Sequence, residues 1–257
     1  VTRATYLKLV AAMVVLTIVS SVLMLIPDWN GFAGSEEAGP IDTLLDVMIV
    51  LSCFVFSIVM VMFAYAVWRY RAKPGDESDG EPIHGNTRLE IAWTVIPTII
   101  VLFGAGYSWV ILDDIEEVAP AAERMEVNAT AQQFAWTFEY PQEGIVSKEL
   151  HVPVDHQVDL KLTALDVLHS FWVPEWRIKR DLVPQGAGGD EVDDTVQVTP
   201  NEEGTFNVVC TEYCGAGHAT MRALAVVESQ EEFDAWVEET RAEGGAAEPG
   251  GGEPEAG

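Results

Sequence analysis

Three long apolar runs fill the first 112 residues, and after them the pattern changes to short alternations. Residues 9–26 and 91–112 contain no charged side chain, and 44–68 contains only Asp46, near its start. A helix needs ~20 apolar residues to cross the hydrocarbon core of a bilayer, so the second and third runs predict transmembrane helices. The first run follows Arg3 and Lys8 and reads either as a long secretory signal or as a third anchor. Its 18 residues exceed the ~7–15 of a usual signal core, and no small-residue cleavage pattern stands out before Pro27. Both features favour the anchor.

Basic residues beside the runs set the orientation. The segment 69–90 carries Arg69, Arg71, Lys73 and Arg88, whereas 27–43 carries no Lys or Arg. The 69–90 segment is therefore expected inside, with 27–43 and everything after Leu112 outside. Arg3 and Lys8 place the N-terminus inside, which agrees if the first run also spans. The expected division is a membrane anchor over 1–112, an exported domain over 113–241 and a tail over 242–257.

Period-two alternation recurs in the exported part. Val158, Leu160 and Leu162 alternate with Asp159 and Lys161, Val196 and Val198 flank Gln197, and Phe134, Trp136, Phe138 and Tyr140 predict one aromatic strand face. Turn-forming stretches at 141–144, 184–186 and 200–204 separate such runs, as in an antiparallel sandwich or barrel. Residues 231–241 predict a short amphipathic helix with Phe233, Trp236 and Val237 inward. The tail is Gly, Ala, Glu and Pro, a composition that cannot bury a core and predicts disorder. No internal repeat is visible.

Charge changes the picture in one respect. The chain has a formal net charge of −27, and from 113 onward 31 acidic side chains face 8 basic ones. Phosphate binding needs the opposite sign, so nucleic acid is not an expected partner. Scarce lysine and acids spread along the domain match proteins that work in strong brine.

The chemistry concentrates in one stretch, CTEYCGAGHATM, from Cys210 to Met221. It lies between the strand-like runs 205–209 and 221–227, and Gly215 and Gly217 allow a tight loop. Three readings fit its donors. A disulfide is the default for paired exported cysteines, but leaves His218 and Met221 without a role. Zinc could take Cys210, Cys214, His218 and His169 in a tetrahedron, with Met221 idle. Copper suits thiolate, imidazole and a weak thioether together. Two thiolates could bridge two coppers if a second histidine came from another loop. Of His151, His156 and His169, the last lies in the apolar stretch DVLHSFWVPE.

The stretches CTEYCGAGHATM and DVLHSFWVPEWRIKRDLVP resemble subunit II of the haem–copper cytochrome c oxidases, as do NTRLEIAWTVIP and QQFAWTFEYP. The likeness covers roughly 40–240. It implies transmembrane helices followed by an all-β cupredoxin-like Greek-key barrel with a dinuclear copper A centre. Cys210 and Cys214 would then bridge two coppers, and His169 and His218 would each bind one. Met221 and the carbonyl of Glu212 would be weak ligands, and the Glu212 side chain would reach a magnesium ion at the boundary with subunit I. Phe171 and Trp172 would help keep the centre dry. Glu90, three residues before Trp93, would mark the mouth of a proton-uptake channel; an acid there also suits a helix N-terminus.

The resemblance further implies electron transfer from an external cytochrome c or small blue copper protein to haem in subunit I, where oxygen is reduced and protons are pumped, with subunit III as a further partner. Phe134, Trp136 and Tyr213 would form the electron-accepting surface, with Phe134 where the family usually has tryptophan. The family also contains quinol oxidases whose subunit II lacks the copper ligands; every side-chain ligand is present here. The alternatives are the copper A subunit of a nitric oxide reductase and a membrane-tethered copper-binding or carrier module.

Overall fold

The computed structural model describes residues 2–27, 29–72, 74–75, 80, 82, 84–120, 124–184 and 195–244. The tail beyond 244, the expected turn beyond Pro184 and Lys73 lie outside the described residues. The chain divides into two compact units, Val1–Trp29 with Asp42–Leu112, and Asn30–Ile41 with Asp113–Gly257.

The first unit is helical. Helices α1 (Arg3–Leu25), α2 (Ala38–Tyr70) and α3 (Thr87–Ile115) are each long and apolar enough to cross a membrane. Helices α1 and α3 start ahead of the apolar stretches because their N-termini are capped by polar groups. Thr2 Oγ1 accepts from the Thr5 N–H, and Asn86 Oδ1 accepts from the N–H groups of Arg88 and Leu89 at 3.1 and 3.3 Å. Arg69 sits in the last turn of α2, where unpaired carbonyls favour a cation. The most apolar windows of α1 and α3 bury nothing within the chain. Such all-round apolar helices are solvated by lipid or by neighbouring subunits.

The second unit is a sandwich of two five-stranded sheets. Its strands are β1 (Arg124–Gln132), β2 (Ala135–Tyr140), β3 (Ile145–Ser147), β4 (Leu150–Pro153), β5 (Gln157–Ala164), β6 (His169–Val173), β7 (Ile178–Leu182), β8 (Thr195–Val198), β9 (Gly204–Cys210) and β10 (Arg222–Glu228). The sheet orders are β3-β2-β1-β5-β8 and β4-β10-β9-β6-β7. The expected antiparallel pattern is incomplete: β1 pairs with β5, and β10 with β4, in parallel. The cause is the Greek-key route of the chain. It changes sheet after β3, β4, β5, β7 and β8, so strands distant in sequence become neighbours with the same direction.

Alternation builds the core. On β1, Val127, Ala129 and Ala131 are buried, on β2 Trp136, Phe138 and Tyr140, and on β5 Val158, Leu160 and Leu162. Phe134 does not share the β2 face as expected. Gln132 pairs with Ala135, which leaves Gln133 and Phe134 as a two-residue hairpin turn. Tyr140 bolts the sheets together: its hydroxyl donates to the His151 carbonyl and accepts from the His151 N–H. Helix α4 (Gln230–Ala242) closes the far end, with Phe233 and Val237 buried and Trp236 packed against the core.

One element has no counterpart in the sequence reading. The segment Asn30–Ile41, between α1 and α2, is part of the β unit. Ser35 bridges to Pro200, its hydroxyl donates to the Trp176 carbonyl, and the buried Glu37 accepts from the Thr199 N–H at 2.9 Å. Phe32 stacks on Phe206. The Arg177 guanidinium reaches the carbonyls of Gly31 and Phe32. These contacts put 30–41 on the same side of the membrane as the sandwich, independently of the distribution of basic residues.

Candidate metal centre

The donors are brought together by one register. Phe171 on β6 pairs with Cys210 at the end of β9, so the strand that begins with His169 lies beside the first cysteine. The loop that follows is closed at its base, where the Cys210 N–H donates to the Met221 carbonyl, and is tied to β6 by the bond from the Thr211 N–H to the Ser170 carbonyl. A short 3-10 turn, His218–Thr220, delivers the second histidine.

The two thiols are free, and their sulfurs lie 3.8 Å apart. His169 Nδ1 is 3.8 Å from Cys210 Sγ, and the Glu212 carbonyl oxygen is 3.3 Å from the same sulfur. On the other side, His218 Nδ1 and Met221 Sδ are 3.6 and 3.8 Å from Cys214 Sγ. Cys210, Cys214, His169 and Met221 are buried, and His218 is half-buried. Among the described residues, His169, Cys210 and Cys214 are the one group of such ligands close enough to share an ion. All six expected metal-binding residues, Glu212 through its carbonyl, are thus within one cluster.

The electrostatics suit a site that waits for a cation. Burial, followed by the neighbouring Cys210, pushes the Cys214 thiol up to about 11. The shift favours the neutral thiol, whose proton a bound metal would have to displace. His169 Nε2 lies 2.8 Å from Asp166 Oδ1, which turns Nδ1 toward the sulfur. Partial burial opposes ionisation of Asp166. Hydrogen bonds from His169 and from the N–H groups of Gln133 and Val167 outweigh it, and hold this carboxyl below its usual range.

The donor set fits copper. Free thiols argue against the disulfide reading, and a fully buried thioether facing a thiol is a soft donor without a role at zinc. Aromatic rings pack against one side of the site. Trp136 meets His169 and Phe171 edge-on, with centroids 6.5 and 5.7 Å away.

Trp136, expected at the electron-accepting surface, is 2% exposed. The β2 alternation turns it inward, so it lines the centre and cannot touch a donor. Phe134 and Tyr213 are 39% and 77% exposed, and the Tyr213 ring stands edge-on to His218 at 5.7 Å. The Glu212 side chain is exposed. Glu90 Oε1 accepts from the Asn86 N–H at 3.0 Å at the start of α3, the geometry of a helix cap. Asp166 and Gln133 have no role in the sequence reading. The Asp three residues before His169 was a legible signal, because histidine ligands are commonly oriented by a carboxylate.

The chain is similar to known proteins along most of its length. Residues 31–111 match the family model described as cytochrome c oxidase subunit II, transmembrane domain, and 144–229 match its periplasmic domain. Cytochrome c oxidase subunit 2 of Thermostichus vulcanus is 33% identical, over 81% of this chain and 77% of that protein. The protein of the same name from Synechocystis sp. is 29% identical, over 87% of this chain and 81% of that one. Quinol oxidase subunit 2 of Bacillus spizizenii is 28% identical, over 81% and 66%.

Proposed function

From the fact that the chain belongs to the cytochrome c oxidase subunit II family, we propose that its β unit takes electrons from an external protein donor and passes them to haem in subunit I. The chain is a membrane-bound subunit of a haem–copper oxidase, with an extracytoplasmic cupredoxin-like domain. The family alone does not fix the donor, since a quinol oxidase subunit is also similar. The observation that carries the reading is the buried pair of free thiols, flanked by His169, His218 and Met221.

Two coppers bound there would supply a carrier that takes up and releases one electron at a time. Cys210 and Cys214 would bridge them, with His169 and His218 as terminal ligands and Met221 Sδ and the Glu212 carbonyl as weak ones. Asp166 holds the His169 ring in place, and Trp136 and Phe171 exclude water, so little around the ligands needs to move when the charge changes. Phe134 and Tyr213 offer the contact surface to a cytochrome c or a small blue copper protein. The exposed Glu212 carboxylate is available to magnesium at the boundary with subunit I. Glu90 would serve proton uptake by the assembled oxidase, in which subunit III is a further partner.

The test is an EPR spectrum of the copper-loaded full chain. A hyperfine pattern from one electron shared equally by two coppers is expected, and Cys210→Ser or Cys214→Ser should abolish it. A single-copper pattern in the parent chain would exclude the bridged centre.

A further inference from the structure

We propose that Gln133 is a positioning residue for the copper loop: its side-chain amide holds the Cys214 carbonyl, so the turn from Cys214 to His218 is set before any metal arrives. The proposal deepens the copper reading given above and rests on it.

The β1–β2 turn lies directly on the loop. Gln133 Nε2 donates to the Cys214 carbonyl at 2.6 Å. Gly215 has φ +132°, and a Cβ there would come within 2.9 Å of that same nitrogen. A Cβ at Gly217 would come within 2.5 Å of the Phe134 ring. Gly217 is therefore required by the ring that covers it, while at Gly215 the positive φ favours glycine and a side chain would push on the Gln133 amide.

The turn itself is anchored. The Gln133 N–H donates to Asp166 Oδ2 at 2.8 Å, while Asp166 Oδ1 is held against His169 Nε2. A closed circuit results. It runs from Cys214 to Cys210, to His169, to Asp166, to Gln133 and back to the Cys214 carbonyl. Three of these five residues are ligands in the proposed centre; Asp166 and Gln133 close the ring from outside. Gln133 is the member that reaches the glycine turn. Without its bond, the stretch between Cys214 and His218 would be held on this side by Phe134 packing alone. A two-glycine loop so loosened samples more conformations, and the ligand on its far side is the half-buried His218.

The test uses the full chain in detergent on a Cys53→Ser background, so that Cys210 and Cys214 are the only thiols. Gln133→Met keeps the length and removes the donor. Gln133→Asn keeps the amide and is one methylene too short. In the metal-free chain, a neutral maleimide should modify Cys214 about fivefold faster in both variants than in the parent, the scale of one lost hydrogen bond. In the copper-loaded chain, both should alter the copper hyperfine pattern while the melting temperature of the β unit stays close to the parent's. An unchanged modification rate or an unchanged hyperfine pattern overturns the proposal. If the parent shows no two-copper signal, the copper reading fails, and the metal-free rates alone decide whether Gln133 holds the loop.

Discussion

His169 and His151 lie in one sheet, on β6 and β4, and both are buried. Each has a carboxylate on one ring nitrogen, Asp166 for His169 and Glu228 for His151, at 2.8 and 3.0 Å. Each ring meets a tryptophan. The difference lies at the other nitrogen. That of His169 faces the Cys210 sulfur, whereas that of His151 lies 3.6 Å from Glu149. The tryptophans differ as well: Trp136 stands edge-on to His169, while Trp236 lies flat on His151 at 4.0 Å. Burial and a carboxylate partner are thus common to a proposed ligand and to a structural residue. What separates them is whether the other nitrogen meets a soft donor.

The largest expected effect breaks the pair apart. His169→Ala should remove the shared-electron copper signal, whereas His151→Ala should leave copper content and spectrum as in the parent. Copper analysis with EPR on both variants checks this. Loss of the signal in His151→Ala, or its survival in His169→Ala, would mean that the distinction drawn from the other nitrogen is wrong.

Next come the aromatic residues at the two ends. Phe134→Ala should slow electron uptake from the native donor on the order of tenfold, the scale of one lost interface anchor, with the copper content unchanged. Trp236→Ala should leave the uptake rate unchanged and lower stability by about 2 kcal/mol, through lost burial and the lost stack on His151. Stopped-flow reduction and thermal melting separate the two. Asp166→Asn would disturb more than charge, because Asp166 holds His169, Gln133 and Val167.

Part of this contrast could be read from the sequence. The spacing of Cys210, Cys214, His218 and Met221 is local, so the loop was visible as a unit. His169 could be added because its apolar surroundings and the missing fourth donor pointed the same way. The alternations on β5 and β2 and the inward face of α4 were also legible, since burial period follows backbone period. Three features depended on contacts distant in sequence. The parallel pairing of β1 with β5 follows from the route of the chain between sheets, which no local pattern encodes. The docking of 30–41 rests on backbone and side-chain contacts with residues near 175–177 and 199–206, which no local pattern reveals. The family resemblance places Trp136 at the surface with Phe134, and the alternation puts both on one strand face. The hairpin turn ends just after that residue, so Phe134 faces out while Trp136 faces in.

The smallest expected effect lies at the end that carries His151, where α4 presents Trp236. Ser229 caps this helix: its hydroxyl accepts from the Glu232 N–H, while the Glu232 carboxylate accepts from the Ser229 N–H and hydroxyl. The bond from the Ser229 hydroxyl, then that from its N–H, holds the Glu232 carboxyl below its usual range. A carboxyl depressed in the folded state stabilises the fold above its unfolded pKa, near ~4.3. That contribution is lost as the pH falls through the folded value. Ser229→Ala should therefore lower the melting temperature of the β unit at pH 7 by roughly 2–4 °C, the scale of a lost N-cap. Glu232→Ala should lower it less, and its gap from the parent should narrow as the pH is taken from 7 toward 3. Neither change should alter the copper spectrum, because the cap supports the His151 end and not the His169 end. Melting curves followed by circular dichroism across that range, with EPR at pH 7, provide the check. A gap for Glu232→Ala that stays constant or widens in acid would show that the carboxylate does not stabilise α4 through its charge. A changed copper spectrum in either variant would show that the two ends of the sandwich are coupled.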